Sequence, residues 1–376
     1  MLTAKDRNNL ERHLKHAAQW LKKRESGWQQ GMDTQQAYRI EQRLFPSLSV
    51  LSDYAENFFD GDAWPEKPWP LKTVLIAMLQ SSNIDVFIRA LQKLDEITDQ
   101  EENDFFTSAL WLANPKDLSS EKLDALIDNP LAKRLTEAQL AQCCWQPATL
   151  RKLALQCDLA LPFWLDDSEQ IPHSETASLL RSMILAQPSA VERLIAHLST
   201  QAPQSDHWTW LTLSENARSL DLFFQHCESE PSHLPVAALQ GTTSCIDHLL
   251  SCFRKAPMAK EAASAIEVIL ATPVDWQPAL VDTATGESVA GSSAYPVAPD
   301  IGGEHAQALL QGQLKNASNL SAWFLNQHPQ VQRMGWYHLG QLLGQVLPDM
   351  TYHWTHCQWR FLQSQVVLTQ QVSHAA

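Results

Sequence analysis

Apolar residues in this chain recur at helical spacing in short runs, and proline, asparagine or aspartate ends almost every run within a few turns. Leu10, Leu14, Ala17, Ala18 and Leu21 fall at i, i+4, i+7, i+8 and i+11, which is one apolar stripe along a helix. A second helix is expected from Thr34 to Glu56 with a break near Pro46, and the two would form a helical hairpin. The segment DGDAWPEKPWP, residues 60–70, carries Pro65, Pro68 and Pro70 and cannot continue a helix. Beyond it, runs such as NIDVFIRALQKLDEI, SSEKLDALIDN and MAKEAASAIEVILAT follow one another. No segment sustains the period-two alternation of β-branched residues that strands require. Short amphipathic helices in pairs, punctuated by proline, predict an all-α chain of the α-solenoid kind.

Composition divides the chain further. Residues 282–304, DTATGESVAGSSAYPVAPDIGGE, are dominated by Gly, Ser, Ala and Pro without apolar periodicity, and are expected to form a flexible linker or loop. Four segments result: an N-terminal helical hairpin over 1–60, helical repeats over 61–281, the linker over 282–304, and a C-terminal helical segment over 305–376. In the last, helices are expected at His305–Leu314, Ser318–Gln327, Val331–Val346 and from Tyr352 to about Leu368.

The 376 residues carry a formal charge of −14, so a globally cationic surface for nucleic acid is excluded. Residues 1–45 nevertheless hold nine Lys/Arg against five Asp/Glu. That basic start, with Lys15, Lys22, Lys23 and Arg24 on the first helix, is expected to meet an anionic partner or to be a solvated face. No apolar run is long enough to span a bilayer, and the opening residues lack the apolar core of a secretory signal. With seven cysteines in no regular spacing, reduced thiols in a cytoplasmic protein are the expectation.

The motifs of enzymes are missing. There is no GxxxxGK[ST] phosphate loop, no GxSxG elbow, no HExxH and no CxxC. No catalytic residue, metal or cofactor is therefore assigned. Cys245, His248 and Cys252 share a helical face, but seven residues at a rise of about 1.5 Å span about 10.5 Å, too far for one metal, and a buried helix seam is the better reading. His353, His356 and Cys357 have helical spacing that could converge on a metal with a fourth ligand such as His338, so a metal-binding helical protein is an alternative reading. The vicinal pair Cys143–Cys144 reads as structural.

Tryptophan is abundant, with 14 copies. Trp111, Trp145, Trp323 and Trp336 lie inside helical apolar patterns and are expected in the core. Trp28, Trp64, Trp69, Trp208 and Trp210 sit beside breakers or polar runs, and are candidates for protein contact because indole combines large area with one polar handle.

Three blocks carry a family resemblance: HLKHAAQWLKKR with IEQRLFPSLSVL (residues 13–51), FFTSALWLANPKDLSSEKLDALIDNPLAKRLTEAQLAQC (105–143) and LPVAALQGTTSCIDHLLSCFRKAPMAKEAASAIEVILATPVDW (234–276). They resemble the HEAT-repeat-like proteins encoded in bacterial type VI secretion gene clusters. The resemblance covers most of residues 10–280. The arginine and aspartate that often mark HEAT turns are mostly missing, and the region after Pro278 matches poorly. It implies an irregular HEAT-like α-solenoid and a non-enzymatic accessory scaffold that contacts type VI secretion components or effectors. An effector chaperone or immunity-type binder with one client would share the same architecture. The resemblance supplies no catalytic residues.

Overall fold

In the computed structural model, the described residues are 3–58, 64–101, 104–113, 118–136, 139–140, 143, 147–162, 164, 174–200, 204–277, 295–299, 308–351 and 353–375. The fold is all-α. Strand structure among the described residues is confined to four two-residue segments. The chain divides into two compact units, the first made of 1–177, 327–329 and 348–367, the second of 178–326, 330–347 and 368–376.

The first unit opens with the expected hairpin. Helix α1 (Ala4–Gln29) begins at Thr3, whose side chain caps Asp6 N–H while the Asp6 carboxylate accepts from Thr3 N–H. Helix α2 (Thr34–Asp53) is capped by Asp33, and it runs through Pro46 without the expected break. Gly31, at φ +86°, turns the chain between them. The stripe read from the sequence is the buried face: Leu10, Ala17, Ala18 and Leu21 pack inward, and Arg24 and Trp28 continue it.

Helix α3 (Pro68–Gln80) is enclosed. Every residue from Leu71 to Leu79 is buried, as suits a helix that is apolar almost all round. It packs against α1, α2, α4 (Ile84–Glu101) and α5 (Asp104–Leu112). Its one charged member, Lys72, donates to Glu25 at 2.6 Å and lies 4.3 Å from the Phe105 ring centroid. Burial pushes the Lys72 amine down, and Glu25 opposes that. Helices α6 (Ser120–Asp128) and α7 (Pro147–Cys157) follow, with a 3₁₀ turn at Pro130–Arg134 between them. Cys143 is buried, while Cys144 and Trp145 lie outside the described residues.

An ion pair stands at the middle of this unit. Arg24 Nε donates to Glu41 Oε1 at 2.7 Å, with side chains only 2% and 0% exposed. Arg24 Nη2 donates to His353 O at 3.0 Å, and its guanidinium lies 4.4 Å from the Trp354 ring centroid. The second Glu41 oxygen accepts from Thr355 N at 3.0 Å and from Thr355 Oγ1 at 2.7 Å. Thr355 is the first residue of the last helix, Thr355–Ala375, so a carboxylate from α2 satisfies a donor at that helix's start.

The second unit contains α8 (Glu175–Ile184, entered from the first unit), α9 (Ala190–Thr200), α10 (Ala217–Cys227), α11 (Thr243–Cys252) and α12 (Ala256–Leu270). A buried 3₁₀ helix, Pro231–Leu239, packs on α12. Ala259, Ala262, Ala263 and Ala265 are buried on α12, and small side chains allow that close approach. Of the expected linker, 282–294 and 300–304 lie outside the described residues. Tyr295–Pro296 (β2) pairs antiparallel with Trp276–Gln277 (β1).

The expected helix His305–Leu314 is replaced by a hairpin. Residues 305–307 lie outside the described residues, and Leu309–Leu310 (β3) pairs with Gln313–Leu314 (β4). The reason is the turn: Gln311 and Gly312 take φ values of +52° and +67°, as a two-residue hairpin loop demands. Leu309 N donates to Gly241 O at 2.9 Å, and a Cβ at Gly241 would lie 2.0 Å from Leu309 O, so only glycine lets β3 dock there. Helices α13 (Ala317–Phe324) and α14 (Pro329–Leu343) complete the unit near their expected positions. Trp111, Trp323 and Trp336 are core residues as expected.

The buried pair generates a stability prediction. Arg24→Met or Glu41→Gln leaves one partner without its counterpart and is expected to cost about 3–5 kcal/mol in urea unfolding. The double variant R24M/E41Q is expected to lose clearly less than the sum of the two. Additive losses would show that the pair is not coupled.

A basic groove on the N-terminal hairpin as candidate functional site

At the closed end of the hairpin, α1 and α2 flank a groove of about 580 Å³. Trp20, Lys23, Gly27 and Gly31 contribute from the α1 side, and Gln36, Arg39 and Arg43 from α2. No carboxylate lines it. Helical spacing assembles the charges: Lys23 follows Trp20 by three residues, and Arg43 follows Arg39 by four. Lys23 Nζ sits 5.2 Å and the Arg43 guanidinium 4.9 Å from the Trp20 ring centroid. Both distances suit cation–π attraction. All three cations are exposed, and none makes an ion pair among the described residues.

Trp20 is held in place from below. Its indole N–H donates to His16 Nε2 at 2.8 Å. His16 must then carry its proton on Nδ1, which donates to Ser47 Oγ at 3.0 Å. The indole is therefore a fixed, partly buried wall between two exposed cations. Such an arrangement attracts anions and rewards a flat apolar or aromatic group beside the charge.

Of the basic residues read from the sequence, Lys23 lies in this groove. Lys15 and Lys22 are exposed on α1 and do not line it. Arg24 is corrected: it is buried against Glu41 and cannot face a partner. Arg39, Arg43 and Trp20 were not singled out, although their spacing around Lys23 was available in the sequence. Trp28 and Trp210 are corrected too, being 4% and 6% exposed. Each lies on the apolar face of its own segment, where the polar neighbours in sequence point elsewhere. Trp64, Trp69 and Trp208 are partly buried. Trp69 packs edge-on against Phe105 at 4.8 Å, and Trp208 stacks on His226 at 4.8 Å.

The residues weighed as metal ligands are placed differently from expectation. His353 precedes the last helix instead of lying on it, because that helix starts at Thr355. The helical spacing of His353, His356 and Cys357 is therefore not a single helix face. His353 is buried, and burial pushes its pKa down to about 4. His356 Nε2 lies 3.4 Å from Cys357 Sγ. Among the described residues no group of three or more His, Cys, Asp or Glu side chains is placed to hold a metal ion. Cys245 and Cys252 are buried with Cys227, and burial pushes the Cys245 thiol up to about 12. His248 instead lies on the rim, bonded to Asp221 at 2.8 Å.

The second unit pairs four of its histidines. His197 Nε2 lies 3.4 Å from His207 Nδ1, and His226 Nε2 lies 3.1 Å from His233 Nδ1. Each contact needs one N–H donor and one lone pair, so a pair cannot hold a proton on every ring nitrogen. Among the described residues no helix is long and apolar enough to cross a membrane. No family model, curated protein or solved structure matches the chain.

The histidines predict acid sensitivity. Burial, with the neighbouring imidazole, pushes His207 and His226 down, and burial pushes His233 down against Asp206 and Glu230. Histidine titrates near 6.5 in an unfolded chain, so as pH falls the unfolded state takes up protons first. Their contribution is present above about pH 6.5 and is lost as pH falls below it. Urea unfolding between pH 7.5 and 5 should show stability dropping, with a shallower slope in His233→Asn. A flat profile would contradict the pairing.

Proposed function

We propose that this protein is a non-enzymatic scaffold of short paired helices, stacked in the α-solenoid manner, that captures an acidic segment of a protein partner in the hairpin groove. One observation carries the docking role: Lys23 and Arg43 flank Trp20, Arg39 lines the same groove, and no carboxylate is in the lining. An acidic peptide complements that charge, and an apolar or aromatic residue within it would pack on the indole. The sequence blocks 13–51, 105–143 and 234–276 support the context, an accessory role in a bacterial type VI secretion system acting in the cytoplasm. The groove falls within the first of those blocks.

The test is affinity capture from secretion-active cells with three forms of the chain. The intact protein should recover sheath, baseplate or spike components, with recovery falling as salt rises. The charge reversal K23E/R39E/R43E should lower partner affinity by at least about tenfold. The reversal K15E/K22E, outside the groove, should lower it less. Equal recovery by all three forms would overturn the groove assignment. Stoichiometric recovery of one toxin-like client would replace the scaffold with the chaperone or immunity reading. Recovery of no secretion component while the system fires would overturn the secretion role.

A further inference from the structure

The second unit contains a cavity of about 1,020 Å³. Its walls include Thr212, Gln240, Lys315, His338 and Gln341, and the exposed carboxylates Glu192 and Glu215 belong to its lining. The walls are braced by internal hydrogen bonds. Gln240 Nε2 donates to Ser214 O at 2.7 Å, and Gln341 Nε2 donates to Leu213 O.

Lys315 Nζ donates to Leu239 O at 2.9 Å and to Gln240 O at 3.0 Å, closing the end of the buried 3₁₀ helix. An ammonium carries three hydrogens, so one is left. The Lys315 ammonium makes no further hydrogen bond or ion pair among the described residues.

His338 can be assigned by the same count. Thr212 Oγ1 donates its only hydrogen to Thr209 O at 2.7 Å. It must therefore accept from His338 Nε2, 3.2 Å away. The imidazole carries its proton on Nε2, and Nδ1 presents a lone pair with no partner among the described residues. His338 is 3% exposed, and burial together with the Lys315 charge keeps it neutral. One cavity lining thus offers a cationic N–H and an imidazole acceptor that no group among the described residues uses.

We propose that this cavity binds a small oxyanion that also carries a hydroxyl hydrogen, the anionic oxygen bonding Lys315 and the hydroxyl donating to His338 Nδ1. A 2-hydroxycarboxylate and a protonated phosphate share this chemistry. Glu192, held by Arg218 at 3.3 Å, and Glu215 add negative charge to the lining, which disfavours highly charged polyanions. The site lies in the second unit and is independent of the hairpin groove.

Saturation-transfer NMR on the full chain with lactate, propionate and inorganic phosphate tests it. Lactate should bind at least about fivefold more tightly than propionate, which lacks the hydroxyl and would cover His338 Nδ1 without donating to it. Displacement of lactate by inorganic phosphate would identify the phosphate form of the chemistry, and lactate binding without displacement would identify the carboxylate form. Lys315→Met should lower lactate affinity at least about tenfold, and Lys260→Met, on an exposed position of α12, should leave it unchanged. The intact protein supplies a second readout should K315M not fold. Burial holds the Lys315 amine at about 8, so lactate affinity should fall about tenfold between pH 7 and pH 9. An ordinary surface lysine would give almost no change over that range. Binding of neither lactate nor phosphate, equal binding of lactate and propionate, or an affinity flat from pH 7 to 9 would overturn the proposal.

Discussion

Two full charges, Arg24 and Glu41, lie out of water at the centre of the first unit, and its packing is arranged around keeping them satisfied. Removing a carboxylate and a guanidinium from water costs several kcal/mol each. The cost is offset only if every lone pair and N–H finds a partner. Glu41 uses one oxygen for Arg24 and the other for the start of the last helix, while Arg24 also bonds the His353 carbonyl and lies against Trp354. Trp354 in turn donates to Leu112 O at 2.8 Å. Gln358 Nε2 ties down Met350 O and Thr351 O at 2.7 and 2.9 Å. An apolar pair of the same volume could match this cluster in net stability. It would not enforce register, because sliding α1 along α2 by one turn would strand a whole charge.

The groove follows from the same helix. Adjacent residues on a helix are about 100° apart, so Lys23 points to solvent because Arg24 points to the core. With Arg24 fixed by Glu41, the orientation of Lys23, Trp20 and Gly27 is fixed too. Arg39 and Arg43 are placed by the inward packing of Ala37, Ile40 and Leu44 on α2. The exposed basic cluster is thus positioned by a buried ion pair, and the cations that meet solvent need no acid of their own. Exposed positive charges leave little stability behind when unpaired, so holding them costs the fold little.

Much of the fold was legible in the sequence where a single face carries the signal. The stripe from Leu10 to Leu21 and the run MAKEAASAIEVILAT that lies in α12 both obey local rules. What escaped notice obeys longer-range ones. Arg24 falls three residues after Leu21 and Trp28 seven, so both lie on the buried stripe, but a charged side chain reads as solvent-facing until its partner 17 residues away is known. LLQGQL carries the three leucines and the glycine of a hairpin, yet its neighbours look helical, and the left-handed turn at Gln311–Gly312 decides the outcome. The spacing of His353, His356 and Cys357 suggested one helix face, but Glu41 starts that helix at Thr355 and leaves His353 outside it. The groove combines residues from two helices, and pairing Arg43 with Trp20 requires the hairpin register.

The second unit handles its polar groups differently from the first. Where the first buries a charged pair, the second buries neutral titratable groups and makes them share protons. His197 with His207 and His226 with His233 each form a donor–acceptor contact that only uncharged or singly charged pairs can sustain. Cys227, Cys245 and Cys252 are buried together as thiols, with burial disfavouring the thiolate. Lys315 is the exception: its hydrogens meet two backbone carbonyls, but carbonyl dipoles do not neutralise a charge, and burial accordingly pulls its pKa to about 8. Among the described residues, one cavity lining therefore carries an ammonium hydrogen and an imidazole lone pair with complementary unused valences. The hydrogen bonds from Gln240 and Gln341 to Ser214 O and Leu213 O hold those two side chains in the cavity lining.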